Sequence, residues 1–306
     1  MRPTLPLTLL ALSLAACVHS PAQGEAPVAK ALTTQEVIDA STPADWRPLD
    51  PENTVYMQLP SGMVVMELAP AFAPEHTANI RTLVKGRYFD GLSINRSHDN
   101  FVVQWGDPAG DELALRRPLG EAKESLPAEF SRASEGLDFH ALPDRDGWAP
   151  EVGFVDGFAA ARDPNAGKAW LAHCYGTVGA GRAMAPDSSN GSELYVVTGQ
   201  APRQLDRNIA VVGRVVEGMT ALTSLPRGSG ELGFYTDAER KLPIVSVRLA
   251  SDLPQAEQPH VLVMDTGSAS FADYLRLRAN RKDDFYDRPA GGVDLCNAPV
   301  PVRLAP

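Results

Sequence analysis

The amino-acid sequence predicts a mainly β protein, and two pairs of apolar segments support that prediction. Val55–Leu59 and Met63–Leu68 are separated by the turn residues Pro60-Ser61-Gly62, which is the pattern of two paired strands. A second pair of segments lies within Asn95–Asp107, on either side of Asp99-Asn100, and this pattern predicts a β-hairpin. With 306 residues, the chain has room for one large domain or two small ones.

Helical signals are confined to a few segments. Thr33-Thr34-Gln35-Glu36 fits a capping box and predicts a short helix that ends near Ala40. Pro74, close to the first turn, and Gly86, after the last turn, predict a second helix between them. Ser270–Asn280 is expected to form a short helix near the C-terminus.

The N-terminus has the features of a secretory leader. Leu5–Leu14 is an apolar run that is too short to span a bilayer, and small residues follow it. The ending Leu14-Ala15-Ala16-Cys17 resembles the lipobox of bacterial lipoproteins, in which the cysteine becomes the acylated first residue. This resemblance implies a signal peptide over residues 1–16 and a lipid anchor on Cys17. The alternative is an ordinary signal sequence, cut here or near Ala22, that leaves a free thiol.

The residues after the cysteine bear on location. The residue that follows Cys17 is Val18 and not an aspartate. By analogy with lipoproteins, this favours the periplasmic side of the bacterial outer membrane. Residues up to about Ala31 are rich in alanine and proline and are expected to form a flexible tether, so that tether and first helix occupy residues 17–50. No other segment reaches membrane-spanning length, so the lipid is the only membrane contact expected.

Two further cysteines, Cys174 and Cys296, remain after the predicted cleavage. An oxidising compartment permits them to form a disulfide that ties the C-terminal segment to the rest of the chain. The alternative is two separate buried thiols. The cysteines do not have the spacing of metal ligands, and neither a metal nor a cofactor is expected.

The formal net charge of −10 limits the classes of partner. An acidic protein repels phosphate backbones and anionic lipid surfaces, so no nucleic-acid partner is expected.

The predicted hairpin carries three side chains that together suit one ligand. Arg96 offers a permanent cation with fixed donors, Phe101 offers an apolar wall, and Gln104 can hold a peptide backbone through a donor and an acceptor. Around one groove, they would suit a proline ring next to its amide nitrogen.

This arrangement resembles the active face of the cyclophilins, a family of peptidyl-prolyl cis-trans isomerases. Other segments are similar to the family in the expected order, over roughly residues 52–250. They are Gly62–Pro70, Ala73–Ile80, Tyr88–Gly91, Asn190–Tyr195, Leu205-Asp206 and Val212–Met219.

The resemblance implies a closed eight-stranded antiparallel barrel capped by two helices. It places the cyclophilin-like domain at residues 51–252, with an insertion at about 131–170. Residues 253–306 leave the family pattern and are expected to form a C-terminal extension on the barrel.

The resemblance also implies the residues of the site. Arg96, Phe101 and Gln104 take the catalytic positions. Six residues take substrate-binding positions, namely Val102, Gly181, Glu193, Tyr195, Leu205 and Ile209.

Several positions depart from the family pattern. They include Glu193 for a glutamine, Tyr195 for a phenylalanine, Gln204 for a tryptophan and Ile209 for a histidine, and also Trp105 for a glycine and the stretch Gly179–Arg182. The carboxylate of Glu193 could pair with Arg96 and weaken its attraction for the prolyl nitrogen, or it could pair with Arg182. We therefore expect a weak or unusually selective isomerase.

Two functions follow from the sequence. The first is a peptidyl-prolyl cis-trans isomerase that acts on proline-containing segments of exported proteins in the bacterial envelope. The second is a non-catalytic, membrane-tethered module that grips such segments as a chaperone or scaffold. A third alternative is a purely structural barrel whose groove is covered by the insertion or the tail.

Overall fold

The structure, a computed structural model, describes residues 32–110, 112, 114–236, 242–258, 260–283 and 285–305. Residues from Leu32 onward form one compact unit. The predicted signal peptide, Cys17 and most of the tether lie outside the described residues. Within the described residues, no helix is both long enough and apolar enough to cross a membrane.

Helices are few in this part of the chain. They are α1 (Thr34–Ala40), α2 (Pro74–Lys85), α3 (Met219–Thr223) and α4 (Ala269–Ala279). Thr33 and Glu36 form the predicted capping box before α1. At α2, two backbone N–H groups of the first turn donate to the carboxylate of Glu129, which satisfies donors that have no partner within the helix. The helix ends at Gly86, as the sequence predicted.

The strands of the described residues are short. They are β1 (Trp46–Pro48), β2 (Thr54–Leu59), β3 (Gly62–Leu68), β4 (Ser93–Ser97), β5 (Val102–Gly106), β6 (Arg132–Ala133), β7 (His140–Ala141), β8 (Glu151–Val155), β9 (Phe158–Asp163), β10 (Lys168–Leu171), β11 (Thr177–Ala180), β12 (Leu194–Val197), β13 (Val211–Glu217), β14 (Ser246–Leu249), β15 (Val261–Met264) and β16 (Val302–Leu304).

Eight of these strands form one antiparallel sheet in the order β14-β2-β3-β13-β11-β12-β5-β4. Both predicted hairpins are present, as β2 with β3 and β4 with β5. Gly62 begins β3 with a φ of 141°, a conformation that other residues rarely adopt. A hydrophobic cluster that includes Met57, Ile80, Trp105 and Leu222 joins this sheet to α2 and α3.

The prediction of a closed barrel is not confirmed. Among the described residues, no strand ladder joins β4 to β14, so the sheet is an open half-barrel. Residues 242–244 form backbone hydrogen bonds with residues 91–94 across this gap. Ser93 and Pro243 form an isolated antiparallel bridge there, which does not extend into a ladder.

Two smaller sheets complete the fold. One has the order β6-β10-β9-β8-β7, and the other, β1-β15-β16, joins strands from both ends of the described chain. Trp46, Phe154 and Phe271 belong to an apolar cluster that these sheets share with α1 and α4. Cys174 and Cys296 form a disulfide within the same cluster. The structure therefore has the disulfide and not two separate buried thiols.

Candidate active site

The hairpin of β4 and β5 places Arg96 directly opposite Gln104. Opposed residues of an antiparallel pair project from the same face, and the Nη1–H of Arg96 donates to Oε1 of Gln104 at 3.1 Å. Gln104 is opposite Tyr195 on β12, and Tyr195 is opposite Gly179 on β11. Four neighbouring strands therefore contribute one row of residues to the candidate site.

The guanidinium of Arg96 is held by contacts from separate parts of the chain. Its Nε–H donates to the carbonyl oxygen of Leu232 at 2.6 Å. Its Nη2 lies 3.0 Å from Nδ1 of His98, which must accept because a guanidinium only donates. The Cζ atom lies 5.4 Å from the centroid of the Phe101 ring and 5.2 Å from that of Phe234, within the range of cation–π contacts.

The site keeps a permanent positive charge. Burial lowers the pKa of the Arg96 guanidinium, and the nearby carboxylate of Glu193 opposes that shift. A guanidinium nevertheless remains protonated at neutral pH. Acceptors among the described residues take three of its five N–H groups.

Gln104 connects this cation to a carboxylate. Its Nε2–H donates to Oε1 of Glu193 at 2.6 Å, while its Oε1 accepts from Arg96. The two contacts fix the orientation of the amide. Glu193 also accepts, through its backbone carbonyl, the N–H of Gly181 at 2.8 Å. The sequence-predicted residues Arg96, Gln104, Glu193 and Gly181 thus form one chain of hydrogen bonds.

The apolar wall lies beside this chain of hydrogen bonds. Phe101 and Ile209 pack against a cluster of Val102, Tyr195 and Val197. Phe101 remains partly exposed, and the cluster contains no residue of 131–170. The described residues therefore give no support to the alternative in which the insertion covers the groove. Leu205, also predicted to bind substrate, lies in a short 3-10 turn. It belongs neither to this apolar cluster nor to the chain of hydrogen bonds.

The turn before Phe101 is fixed from the opposite loop. Asn100 has a φ of 51°, a left-handed conformation that asparagine tolerates better than most residues. Its side-chain oxygen accepts the N–H of Gln200 at 2.9 Å, and the carbonyl of Phe101 accepts the N–H of Thr198 at 2.8 Å. A Cβ atom on Gly199 would lie 2.0 Å from the backbone of Asn100, so only glycine permits this approach.

Tyr195 is anchored by the buried ring of His173. Nδ1 of His173 lies 2.9 Å from Oδ1 of Asp206, and Nε2 lies 2.8 Å from the hydroxyl of Tyr195. Because the ionised carboxylate can only accept, Nδ1 of His173 donates to Asp206, and Nε2 shares a hydrogen bond with the hydroxyl of Tyr195. Burial raises the pKa of the Tyr195 hydroxyl, and the charge of Asp206 raises it further, so this hydroxyl stays neutral.

An ion pair between Arg203 and Asp206 holds the carboxylate that contacts His173. The Nε–H of Arg203 donates to Oδ2 of Asp206 at 2.6 Å, and the same guanidinium contacts the carboxylate of Asp146 at 3.0 Å. Burial alone would raise the pKa of Asp206, but the hydrogen bond from His173 and the charge of Arg203 outweigh it and lower that pKa. A buried network therefore connects β12 to the segment that contains Asp146.

Sequence reasoning missed several residues of these networks, among them His98, His173, Arg203, Leu232 and Phe234. A signal existed for His98, because it lies two residues after Arg96 and such residues share one face of a strand. No local pattern pointed to Leu232, which lies 136 residues away from the arginine that it contacts.

Comparisons with known proteins point to one family. The family model described as "Cyclophilin type peptidyl-prolyl cis-trans isomerase/CLD" matches residues 54–249. A Brucella suis protein named "Probable peptidyl-prolyl cis-trans isomerase" is 31% identical over 186 residues, which are 59% of this chain and 74% of that protein. The human "Peptidyl-prolyl cis-trans isomerase-like 1" is 32% identical over 71 residues, which are 23% of this chain and 40% of that protein. The crystal structure of cyclophilin AquaCyp293 from Hirschia baltica aligns with a TM-score of 0.69 and 27% identity, covering 90% of this chain and 98% of that chain.

Proposed function

Because this chain belongs to the family of cyclophilin-type peptidyl-prolyl cis-trans isomerases, we propose that it isomerises prolyl bonds of exported proteins in the bacterial envelope. The observation that carries the proposed mechanism is the position of Arg96. Its guanidinium contacts the ring of Phe101 and the amide of Gln104 at once, so a cation, an apolar wall and a peptide-binding amide meet at one place.

Prolyl isomerisation requires only rotation about one amide bond. Rotation about a prolyl bond is slow because amide resonance imposes a barrier of about 18–20 kcal/mol. No covalent step or proton transfer is required. In the twisted state the lone pair of the nitrogen is localised, so a cation aimed at that nitrogen binds the twisted form better than the planar form. Arg96 supplies that cation.

The neighbouring residues hold the substrate while it rotates. The partly exposed ring of Phe101, with Ile209 and Val102 beside it, supplies an apolar surface for the proline ring. Gln104 holds the backbone of the bound segment, and Glu193 fixes the orientation of its amide. The carboxylate of Glu193 reaches Arg96 through Gln104 and partly offsets its charge, which supports the expectation of a weak or selective enzyme.

The envelope location rests on separate observations. The leader before Cys17 resembles that of a lipoprotein, and the disulfide between Cys174 and Cys296 suits an oxidising compartment. Radiolabelled palmitate should be incorporated by the full chain expressed in a bacterium and not by Cys17→Ala. Labelling that persists in the variant, or is absent from both, would reject the anchor and leave the isomerase proposal untouched.

The activity itself is tested on short peptides that contain one Ala-Pro bond. We expect the purified full chain to shorten the isomerisation time from the tens to hundreds of seconds of the free peptide. A rate equal to that in solvent, together with measurable peptide binding, would favour the non-catalytic binding module instead. That alternative is supported by the three hydrogen bonds that already occupy the guanidinium.

A further inference from the structure

A segment far along the chain lies against the edge of the candidate site. Residues 228–234, here called the flanking segment, run beside β4. The N–H of Gly228 donates to the carbonyl of Ser97 at 3.0 Å, and Phe234 pairs with Arg96 as an isolated bridge. Backbone contacts at both ends therefore place this segment in a defined register with the strand that carries Arg96.

The flanking segment has two residues in left-handed conformations where it lies closest to β4. Leu232 has a φ of 53° and Gly233 has a φ of 78°. A Cβ atom on Gly233 would lie 2.6 Å from Cα of His98, so the approach requires glycine there. This conformation turns the carbonyl of Leu232 towards Arg96, whose Nε–H donates to it at 2.6 Å.

The same turn leaves apolar side chains at the surface. Leu232 is 57% exposed and Phe234 is 39% exposed, although the Phe234 ring lies 5.2 Å from Cζ of Arg96. Because Cζ is also 5.4 Å from the Phe101 ring, the two ring centroids are at most about 11 Å apart, the span of about three residues of extended chain. A polypeptide whose proline lies against Phe101 therefore reaches Phe234 with a neighbouring residue.

We propose that Leu232 and Phe234 form a subsite for an apolar side chain within about three residues of the substrate proline. The subsite rests on the proposed function, since it takes the proline position at Phe101 as its starting point. It is continuous with the candidate site through the guanidinium of Arg96, which contacts both rings. The occupant is an extended polypeptide that carries leucine, or a residue of similar character, beside its proline.

The test compares peptides that share one Ala-Pro bond and carry leucine or serine at one flanking position at a time. For the unmodified full chain, we expect kcat/KM to favour leucine by about tenfold or more at one of these positions, the discrimination that an apolar pocket typically provides. Phe234→Ser should reduce this leucine-to-serine ratio to near one, and Phe234→Tyr, which keeps the ring, should preserve it. Because the ratio compares two peptides on the same sample, the fraction of folded protein cancels.

Leu232→Asn provides a second, independent variant. Asparagine tolerates the left-handed backbone, so the carbonyl contact to Arg96 is kept while the apolar side chain is lost. The leucine-to-serine ratio of kcat/KM should fall towards one, as it does in Phe234→Ser. An unmodified chain without any leucine preference would overturn the subsite. A uniform loss of kcat with an unchanged ratio would also overturn it, because that result assigns Phe234 to the support of Arg96 alone.

Failure of the proposed function gives a different pattern. If no peptide is isomerised faster than in solvent, the isomerase proposal fails, and the subsite is then judged from dissociation constants of the same leucine and serine peptides. A leucine preference in binding that is lost in both variants would uphold the subsite without catalysis. Equal affinities for the two peptides would reject it.

Discussion

The hydroxyl of Tyr195 lies 2.8 Å from Nε2 of His173, and this contact ties the apolar wall of the site to a buried ion pair. The ring of Tyr195 packs with Val102 in the wall, while its polar end reaches a histidine held by Asp206. One side chain thus takes part in both the groove and the hydrogen-bonded network behind it. The family resemblance implied a phenylalanine at this position, and phenylalanine has no hydroxyl to form this contact.

Tyr195→Phe should separate those two contributions. The ring remains, so kcat/KM on an Ala-Pro peptide should change little. The loss of the hydroxyl leaves Nε2 of His173 buried without its hydrogen-bond partner, which should lower the free energy of unfolding by about 1–3 kcal/mol. Urea denaturation of both proteins measures this. Tyr175→Phe, at a half-exposed tyrosine, is the control and should leave the unfolding curve unchanged.

The low pKa of Asp206 predicts loss of stability in acid. The folded state holds this carboxyl below its unfolded pKa of about 3.9, so its contribution is fully present above that value and is lost as pH falls through the folded pKa. The free energy of unfolding, followed from neutral pH down to about pH 2, should fall more steeply for the unmodified chain than for Asp206→Asn. Asp99→Asn, at an exposed ion pair with Arg227, is the matched control for the removal of a carboxylate. Parallel curves for all three proteins would reject the assignment.

The disulfide should contribute to stability because it joins residues 122 positions apart. Replacing both Cys174 and Cys296 by alanine should lower the free energy of unfolding by about 2–5 kcal/mol. A reducing agent should bring the unmodified chain to the value of the double variant and should not affect the variant itself. A reductant effect on the variant would show that another cause is at work.

Gly179 should be intolerant of a side chain. A Cβ atom there would lie 2.2 Å from Cζ of Tyr195 on the opposed strand. Gly179→Ala should therefore displace the tyrosine ring, lower kcat/KM and destabilise the fold by about 1–3 kcal/mol. Gly147→Ala is the matched control, since a Cβ atom at that glycine meets nothing within 4 Å. Equal stability of the two variants would contradict the tight packing of Tyr195.

The parts of the site that the sequence predicted are those formed locally. Arg96 and Gln104 lie on one hairpin, whose turn at Asn100 and apolar strands are readable from composition and spacing. Their opposition in the structure follows from that hairpin. Tyr195 and Ile209 were predicted as site residues from the family resemblance. In the structure, both lie in the apolar wall together with Phe101.

The parts that the sequence missed depend on contacts between distant segments. The carbonyl of Leu232 reaches Arg96 because two residues with positive φ turn the backbone, and such a turn has no apolar pattern that points to its target. The prediction of a closed barrel depended on a distant contact in the same way. The family resemblance implied the number of strands, but in the described residues the two outer strands meet only through the isolated bridge of Ser93 with Pro243.

The steady-state kinetics of Arg96→Ala and Arg96→Lys on one Ala-Pro peptide test the central claim most directly. If the guanidinium favours the twisted amide, Arg96→Ala should lose about 10²–10³-fold in kcat with little change in KM, and Arg96→Lys, which keeps the charge without the planar fork, should lose less. Unchanged kcat in Arg96→Ala, with any loss confined to KM, would contradict the account, because Arg96 would then bind the planar and twisted peptides equally well.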